Sequence, residues 1–282
     1  MAHLPRVRWF GLAVLIGLVA GAQAQDVSGA GFYPFRGSAR TIGLAGAFTA
    51  VSDDTAGLQF NPAGMAQLTT RQASYDQKVN ADGENYYRLA YIEPSREGGR
   101  LAGGLSFLRG ADTTGRVDKV YQFTYGQYWM EGFAAGVNLR YHTVEAGAVQ
   151  DENFSFDIGV LYTPPTAPKW TAGLAVLDVN EPTFSGIGRA KRIFNAGAAY
   201  RPDEMTVLSL DWYDIGSVAK RGQVRFGGER QLTENIAVRA GVAEDTFGVG
   251  VSLHWRYFTL DYGFQRVDQG PDLNMISVVG NF

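Results

Sequence analysis

The sequence predicts an all-β chain: a transmembrane antiparallel β-barrel of about 14 strands with an N-terminal segment folded into its lumen as a plug. Three observations lead there. Apolar and polar residues alternate at every second position through most of the chain, the period of a strand with two unlike faces. The segments that alternate have the length a tilted strand needs to cross a hydrocarbon layer, about 9–11 residues. Aromatic residues, of which there are 17 Phe, 14 Tyr and 5 Trp, recur near the ends of these segments, where a membrane-spanning barrel carries its interfacial girdles.

The chain opens with residues 1–24, which have the three parts of a secretory signal peptide. Arg6 and Arg8 make a basic start, an apolar run follows from Trp9 to Ala20, and Ala22-Gln23-Ala24 is a small-x-small cleavage site. The apolar run is too short for a membrane-spanning helix, and nothing downstream approaches one. Export to a bacterial outer membrane is the expectation. Composition excludes other classes. There is no cysteine, hence no disulfide scaffold, thiolate metal site or thiol nucleophile. A formal charge of −3 offers nucleic acid no basic face. The 36 glycines are dispersed through apolar segments, as closely packed strands require.

The barrel is expected over residues 70–282, with strands near 71–78, 85–93, 100–109, 119–129, 132–145, 153–163, 169–178, 192–201, 205–214, 223–232, 235–243, 246–255, 257–266 and 272–282. The alternation is clearest where Phe258, Leu260, Tyr262 and Phe264 oppose Thr259, Asp261, Gly263 and Gln265. Short connections at 130–131, 201–204, 233–234 and around Arg256 are expected to face the periplasm, and longer ones at 110–118, 146–152, 179–191 and 215–222 the exterior. A soluble β-sandwich has similar strands; the girdle candidates Tyr87, Tyr91, Trp129, Tyr141, Tyr162, Trp170, Tyr200, Trp212 and Trp255 favour the barrel. The chain ends on a strand whose last residue, Phe282, resembles the assembly signal by which barrel-assembly machinery recognises its clients.

Residues 25–69 lie between signal and barrel, and from 26 onward they do not alternate. Gly43, Ala45, Gly46, Ala47 and Ala50 are small enough to thread a crowded space, Asp53-Asp54 is a polar break, and Asn61-Pro62-Ala63-Gly64 is a turn. This is the expected hatch. The order Gly46-Ala47-Phe48-Thr49-Ala50-Val51, Asp53-Asp54, Asn61-Pro62-Ala63-Gly64 resembles the N-terminal hatch of the outer-membrane fatty-acid transporter superfamily (FadL/TodX) and its compact PorV/PorQ-like branch. The resemblance implies a 14-stranded barrel blocked by its hatch, through which small hydrophobic molecules pass. The external connections are shorter than the capture loops of fatty-acid transporters, and this fits the compact branch, some of whose members resemble secretion-system components.

Two functions are carried forward. One is passive passage of a small hydrophobic ligand, with Phe48 and Phe60 lining a narrow path and Gly43, Gly46 and the Asn61–Gly64 turn (Asn61, Pro62, Gly64) letting the hatch shift beside Asp53 and Asp54. The other is a non-conducting platform that docks a secreted or surface protein. The expected lumen-lining residues include Arg88, Arg140, His142, Asp157, Arg225, Arg239, His254 and Asp261, with Asp211, Glu229, Arg256, Asn138, Asn195 and Gln265. Their mixed signs predict pairing or a water-filled path and no ion selectivity. A Ser155-His142-Asp157 constellation is conceivable across adjacent strands, yet a polar lumen containing a histidine is the simpler reading, and no enzyme activity is expected. The two histidines beyond the signal segment, His142 and His254, without cysteine offer no transition-metal site, and Asp53-Asp54 lacks calcium-loop spacing. No cofactor is expected; the expected partners are outer-membrane lipid, the assembly machinery, and a hydrophobic ligand or a secreted protein.

Overall fold

The computed structural model describes residues 37–80, 82–95, 100–185, 188–215, 222–268 and 271–282. The expected signal peptide and the first residues of the hatch region therefore lie outside the described residues. The hatch begins with a short helix α1 (Ala39–Gly43), then α2 (Gly57–Phe60) and a 3-10 turn (Pro62–Gln67). The strands follow as β1 (Gln72–Lys78), β2 (Asn85–Pro94), β3 (Leu101–Ala111), β4 (Val117–Met130), β5 (Phe133–Ala146), β6 (Val149–Tyr162), β7 (Trp170–Leu177), β8 (Thr183–Phe184), β9 (Gly188–Arg189), β10 (Ile193–Tyr200), β11 (Thr206–Tyr213), β12 (Gln223–Thr233), β13 (Ile236–Ala243), β14 (Thr246–Trp255), β15 (Phe258–Val267) and β16 (Leu273–Asn281). Strands β8 and β9 form a small hairpin in one loop, and the other fourteen close into an antiparallel barrel, β16 pairing with β1 from Asn281↔Gln72 to Met275↔Lys78.

The wall explains the sequence period. On one face stand Leu89, Leu105, Phe123, Leu139, Leu174, Leu210 and Leu253, each roughly half exposed, Leu105 at 59%. A continuous collar of exposed leucine and phenylalanine is tolerable only in lipid, because in water it would be an aggregation surface. No helix among the described residues is long and apolar enough to cross a membrane; the strands do so instead. Both girdles are present. Trp129, Trp170, Trp255, Tyr257 and Phe282 project at the end where β1 begins and β16 ends, Trp255 with 70% of its surface exposed, and Trp170 stacks on Tyr200 at 4.4 Å between ring centroids. At the opposite end Tyr75, Tyr87, Phe107, Tyr121, Tyr141 and Phe154 form a chain of ring contacts across β1 to β6, centroids 5.0–6.4 Å apart.

Two expectations need correction. The 146–152 loop is a two-residue turn at Gly147-Ala148, and the polar run Gln150-Asp151-Glu152 continues the ladder opposite Glu145, Val144 and Thr143. The connection after β6, residues 163–169, is in turn longer than some of those at the opposite end of the barrel, so connection lengths alternate only loosely. Arg256 does not face the lumen. It sits at the β14–β15 turn with φ +52° and is exposed, because a two-residue turn ends the alternation that placed it inward.

Candidate functional site

The site is the lumen and what fills it. Residues 37–68 run through the barrel interior, and nearly all of them are buried. Their local structure follows from caps. Ser38 is the N-cap of α1, its Oγ accepting from Thr41 N at 3.4 Å while Thr41 Oγ1 accepts from Ser38 N at 2.8 Å, a reciprocal capping box. Asn61 caps the 3-10 turn, with Pro62 at its first position, by accepting from Ala63 N at 3.1 Å. Its amide also donates to Thr49 O (3.0 Å) and to Val160 O of β6 (3.1 Å). Asn61, 0% exposed, is thus a pin between two turns of the hatch and the wall. Replacing it with leucine leaves two buried carbonyls and one amide unpaired; we expect a loss of roughly 1–3 kcal/mol for each such group, read as a lowered midpoint of barrel unfolding in urea.

Wall side chains satisfy hatch backbone that has no partner of its own. Asp211 of β11 accepts from Phe48 N (2.9 Å) and Thr49 N (2.8 Å). Gln122 and Asn138 both donate to Leu58 O, at 2.6 and 2.9 Å. Ser277 Oγ accepts from Ala39 N at 2.8 Å. Arg88, buried against Asp76 at 2.7 Å, donates to Thr55 O at 2.9 Å. Where the hatch runs closest the wall has no side chain at all. A Cβ on Gly126, Gly136, Gly159, Gly173, Gly197, Gly241, Gly248 or Gly263 would overlap hatch atoms between Ala39 and Met65. These glycines are opposed across strands, Gly126↔Gly136↔Gly159, Gly173↔Gly197 and Gly241↔Gly248, so they form a belt that follows the hatch around the barrel. The unusual glycine content is the imprint of the plug on its container.

A charged latch holds one end. Arg40 of α1 pairs with Asp53 (2.6 Å), Asp54 (2.8 Å) and Glu229 of β12 (2.8 Å). Glu229 is shared with Arg239 (3.1 Å), which also pairs with Asp261 (3.1 Å), and Arg201 reaches Asp53 at 3.1 Å. Burial pushes the Asp54 carboxyl up from its ordinary range, against the opposing pull of Arg40. On the other side of the lumen Arg140 pairs with Asp157 and lies 3.6 Å from Asp178. Arg40, Arg140 and Arg239 thus each meet opposite charges, as buried charges must.

Two polar cavities flank the hatch. One, about 230 Å³, on the side where β1 begins and β16 ends, is lined by Arg40, Asp53, Asp54, Glu229, Arg239, His254 and Asp261 among others. The other, about 170 Å³, toward the opposite end of the barrel, is lined by Thr41, Ile42, Gly46, Phe60, Asn195, Tyr213 and Arg225 among others. Arg40 lines one cavity and Thr41 and Ile42 the other, so a single turn of α1 stands between them. An apolar groove of about 550 Å³, lined by Leu89, Leu105, Phe123, Leu139 and neighbouring aromatics, lies on the lipid-facing surface and not in the lumen.

The residues singled out in the sequence fall into place unevenly. Asp53, Asp54, Arg239, Asp261 and His254 come together in the first of these cavities, and Gly46 and Arg225 in the second. Gly43 abuts Arg239 and Gly250, and Gly64 sits against Ser52 O. Phe48 lines no path: it is 0% exposed and packs edge-on against Phe60, centroids 5.5 Å apart, within a core of Leu44, Ala50, Val51 and Ala199. His142 and His254 sit at opposite ends of the barrel. His142 Nε2 does meet Ser155 Oγ at 2.9 Å, but Asp157 stands opposite Asn138, four residues along the strand, and engages Arg140, Asn138 and Asp178 N, so the three do not form a relay. No group of three metal-ligating side chains exists among the described residues. Arg40 and Phe184 escaped the sequence reading; Phe184, in the 178–192 loop, is buried against the His142 ring. No local pattern marks either one, since their partners are far away in sequence.

A closed barrel of fourteen antiparallel strands, apolar outside and stoppered by its own N-terminal segment, defines a plugged membrane-spanning barrel. No family model and no curated protein matches the chain. Its structure is similar to the CymD monoaromatic hydrocarbon channel (TM-score 0.61, 12% identity, covering 87% of this chain and 97% of that one). It is also similar to a FadL homologue of Pseudomonas aeruginosa (TM-score 0.61, 14% identity, 90% and 99%) and to the Pseudomonas putida toluene transporter TodX (TM-score 0.53, 10% identity, 79% and 92%). The chain therefore has the FadL/TodX-type barrel fold that its hatch motif implied; at these identities the likeness is one of fold.

Proposed function

We propose that the chain is a transport barrel of a bacterial outer membrane, closed at rest by residues 37–68 and opened by displacement of α1. The observation that carries this reading is the single helical turn, latched by Arg40, that separates two water-accessible polar cavities on opposite sides of the hatch. Small molecules are the proposed cargo. The fold neighbours described as a monoaromatic hydrocarbon channel and a toluene transporter support a small hydrophobic compound or one with an apolar body. The gate comprises Gly43, Gly46, Asp53, Asp54 and the Asn61–Gly64 turn; Phe48 and Phe60 hold the hatch's core together. The test is uptake of radiolabelled toluene into proteoliposomes. Uptake above that of protein-free liposomes supports the reading, and a rate equal to theirs in both wild type and an Arg40 variant overturns it.

A second reading, the PorV/PorQ-like docking platform, is favoured by one observation: the ion-paired lumen holds no continuous apolar track among the described residues. Native mass spectrometry of the protein extracted from its own membrane separates the two. A co-purifying polypeptide with no small molecule supports docking, and a bound small hydrophobic mass supports transport.

The assembly role of Phe282 belongs to the same reading. Its ring is 65% exposed, perpendicular to Phe258, and its N–H donates to Arg71 O at 2.9 Å, closing the barrel seam. Phe282→Ala is expected to lower the yield of assembled, heat-modifiable barrel several-fold while changing the unfolding midpoint of what does assemble by less than about 1 kcal/mol in equivalent stability.

A further inference from the structure

The outward face of the barrel is not uniform between β2 and β6. Toward the end opposite to where β1 begins, Tyr87, Phe107, Tyr121 and Tyr141 carry the line of ring contacts across it, and these rings border the apolar groove of about 550 Å³. Arg109 stands two residues beyond Phe107 on the same face, and Lys119 two residues before Tyr121, directly opposite Arg109 in the β3–β4 ladder. Two residues along a strand span roughly 7 Å, so both cations sit at the rim of the groove, beyond the rings. Lys119 is held by Glu145 at 2.7 Å. Arg109 makes no hydrogen bond, ion pair or ring contact among the described residues. Other outward cations are matched, Arg71 by Glu93 at 2.9 Å and Arg266 by Asp272 at 3.0 Å. The carboxylates on this part of the face, Glu145 and Glu152, engage Lys119 and the Tyr141 hydroxyl, and the other ladder neighbour of Arg109 is Tyr87, a neutral phenol. Like charges opposed across a ladder repel unless an anion joins them, and a cation at the edge of the hydrocarbon layer draws an anionic headgroup.

We propose that this face holds a phosphate-bearing membrane lipid, its phosphate received by Arg109 with Lys119 alongside and an acyl chain lying in the groove against Leu89, Leu105, Phe123 and Leu139. Charge and shape select that occupant together. A guanidinium forks onto two phosphate oxygens, which an apolar partner surface would leave unmet. The groove falls within the roughly 300–1,000 Å³ of sites that take a molecule of drug size, and leucines and aromatic rings make most of its lining, so it suits a chain segment and not a headgroup. The rings between cation and groove occupy the depth at which headgroup gives way to chain. The site lies outside the lumen, away from the hatch and its latch, so lipid held here and passage of cargo are independent: the site requires only that the barrel stand in a membrane.

The experiment is native mass spectrometry of the full-length chain, stripped of lipid by detergent exchange and titrated with dioleoyl phosphatidylglycerol, with dioleoylglycerol and with glycerol phosphate, each variant first checked for heat-modifiable mobility as a sign of an intact barrel. One phosphatidylglycerol is expected to be retained per chain, and Arg109→Gln to weaken its binding about tenfold or more. Arg109→Lys should fall between, since an ammonium keeps the charge without the fork. Leu105→Trp fills the groove with a side chain that lipid tolerates, and should weaken binding several-fold. Arg266→Gln, at a cation already matched by Asp272, should leave it unchanged. Equal retention of dioleoylglycerol or of glycerol phosphate would overturn the proposal, and so would phosphatidylglycerol binding indifferent to both Arg109→Gln and Leu105→Trp. A dimer mass that disappears in Leu105→Trp, with no lipid retained by the wild type, would overturn it in favour of a second copy of this chain on the same face.

Discussion

Arg40→Gln is expected to open the barrel. The substitution removes the one cation that Asp53, Asp54 and Glu229 share, and leaves three carboxylates converging on the place it held. Breaking a buried pair in this way costs about 3–5 kcal/mol, because the remaining charges keep their desolvation penalty without its compensation. Arg40 and its partners are 15–27% exposed, so water softens the loss toward the lower figure. The cost falls on the hatch more than on the wall, whose ladder hydrogen bonds are untouched. The variant should therefore insert and migrate as a folded barrel while its resting conductance in a planar bilayer rises at least about tenfold, the factor that 1.4 kcal/mol of gate destabilisation produces. Arg40→Lys should fall between, since an ammonium keeps the charge but cannot fork between Asp53 and Glu229. Conductance equal to wild type in the glutamine variant would mean that the latch does not set the closed state.

Filling the glycine belt is expected to have the opposite character, damaging the packed hatch by volume and not by charge. In Gly136→Val the new side chain would enter the space of the Pro62 carbonyl, and in Gly241→Val that of the Leu44–Ala45 peptide. The neighbours are backbone held by caps and wall hydrogen bonds, so they cannot step aside as a flexible side chain would. Overpacking against mobile side chains costs about 1–3 kcal/mol; against this backbone the upper figure is the minimum. Each variant should still form its strands, because valine is favourable in a sheet, and should expose the hatch. Limited proteolysis reads this out. Cleavage within residues 37–68 is expected in the two variants and not in the wild type, and a Gly103→Val control, at a wall glycine with no hatch atom near its Cβ, should stay protected.

The barrel was legible in the sequence because its two faces meet different surroundings. Lipid selects Leu, Phe and Tyr on one side and the polar interior selects Asn, Arg, Asp and Gly on the other, so the period of two survives through most of the strands. The reading slipped where that contrast ends. Gln150 to Glu152 look like loop residues because both faces are polar, yet they extend the β5–β6 ladder. Arg256 continues the count of alternation, but the chain reverses there. The hatch was visible as a break in the pattern and through its motif, and the turn at Asn61 was readable from local chemistry. Its contacts were not. Arg40 meets Glu229 from 189 residues away, and Asp211 meets Phe48 from 163, distances at which a single sequence carries no signal. Phe48 illustrates the ambiguity of an aromatic in a small-residue segment: it suits a path wall or a miniature core equally, and only packing against Phe60 and Val51 decides for the core.

The most direct test of the central claim, that residues 37–68 are the stopper of an otherwise continuous lumen, is planar-bilayer conductance of the chain lacking residues 37–65 beside the wild type. The deletion leaves every strand and the glycine belt in place and removes α1, the latch and most of the hatch. The account predicts a silent wild type and a steady, salt-dependent conductance in the deletion variant, with the barrel still heat-modifiable. A correctly inserted deletion variant as silent as the wild type would contradict it.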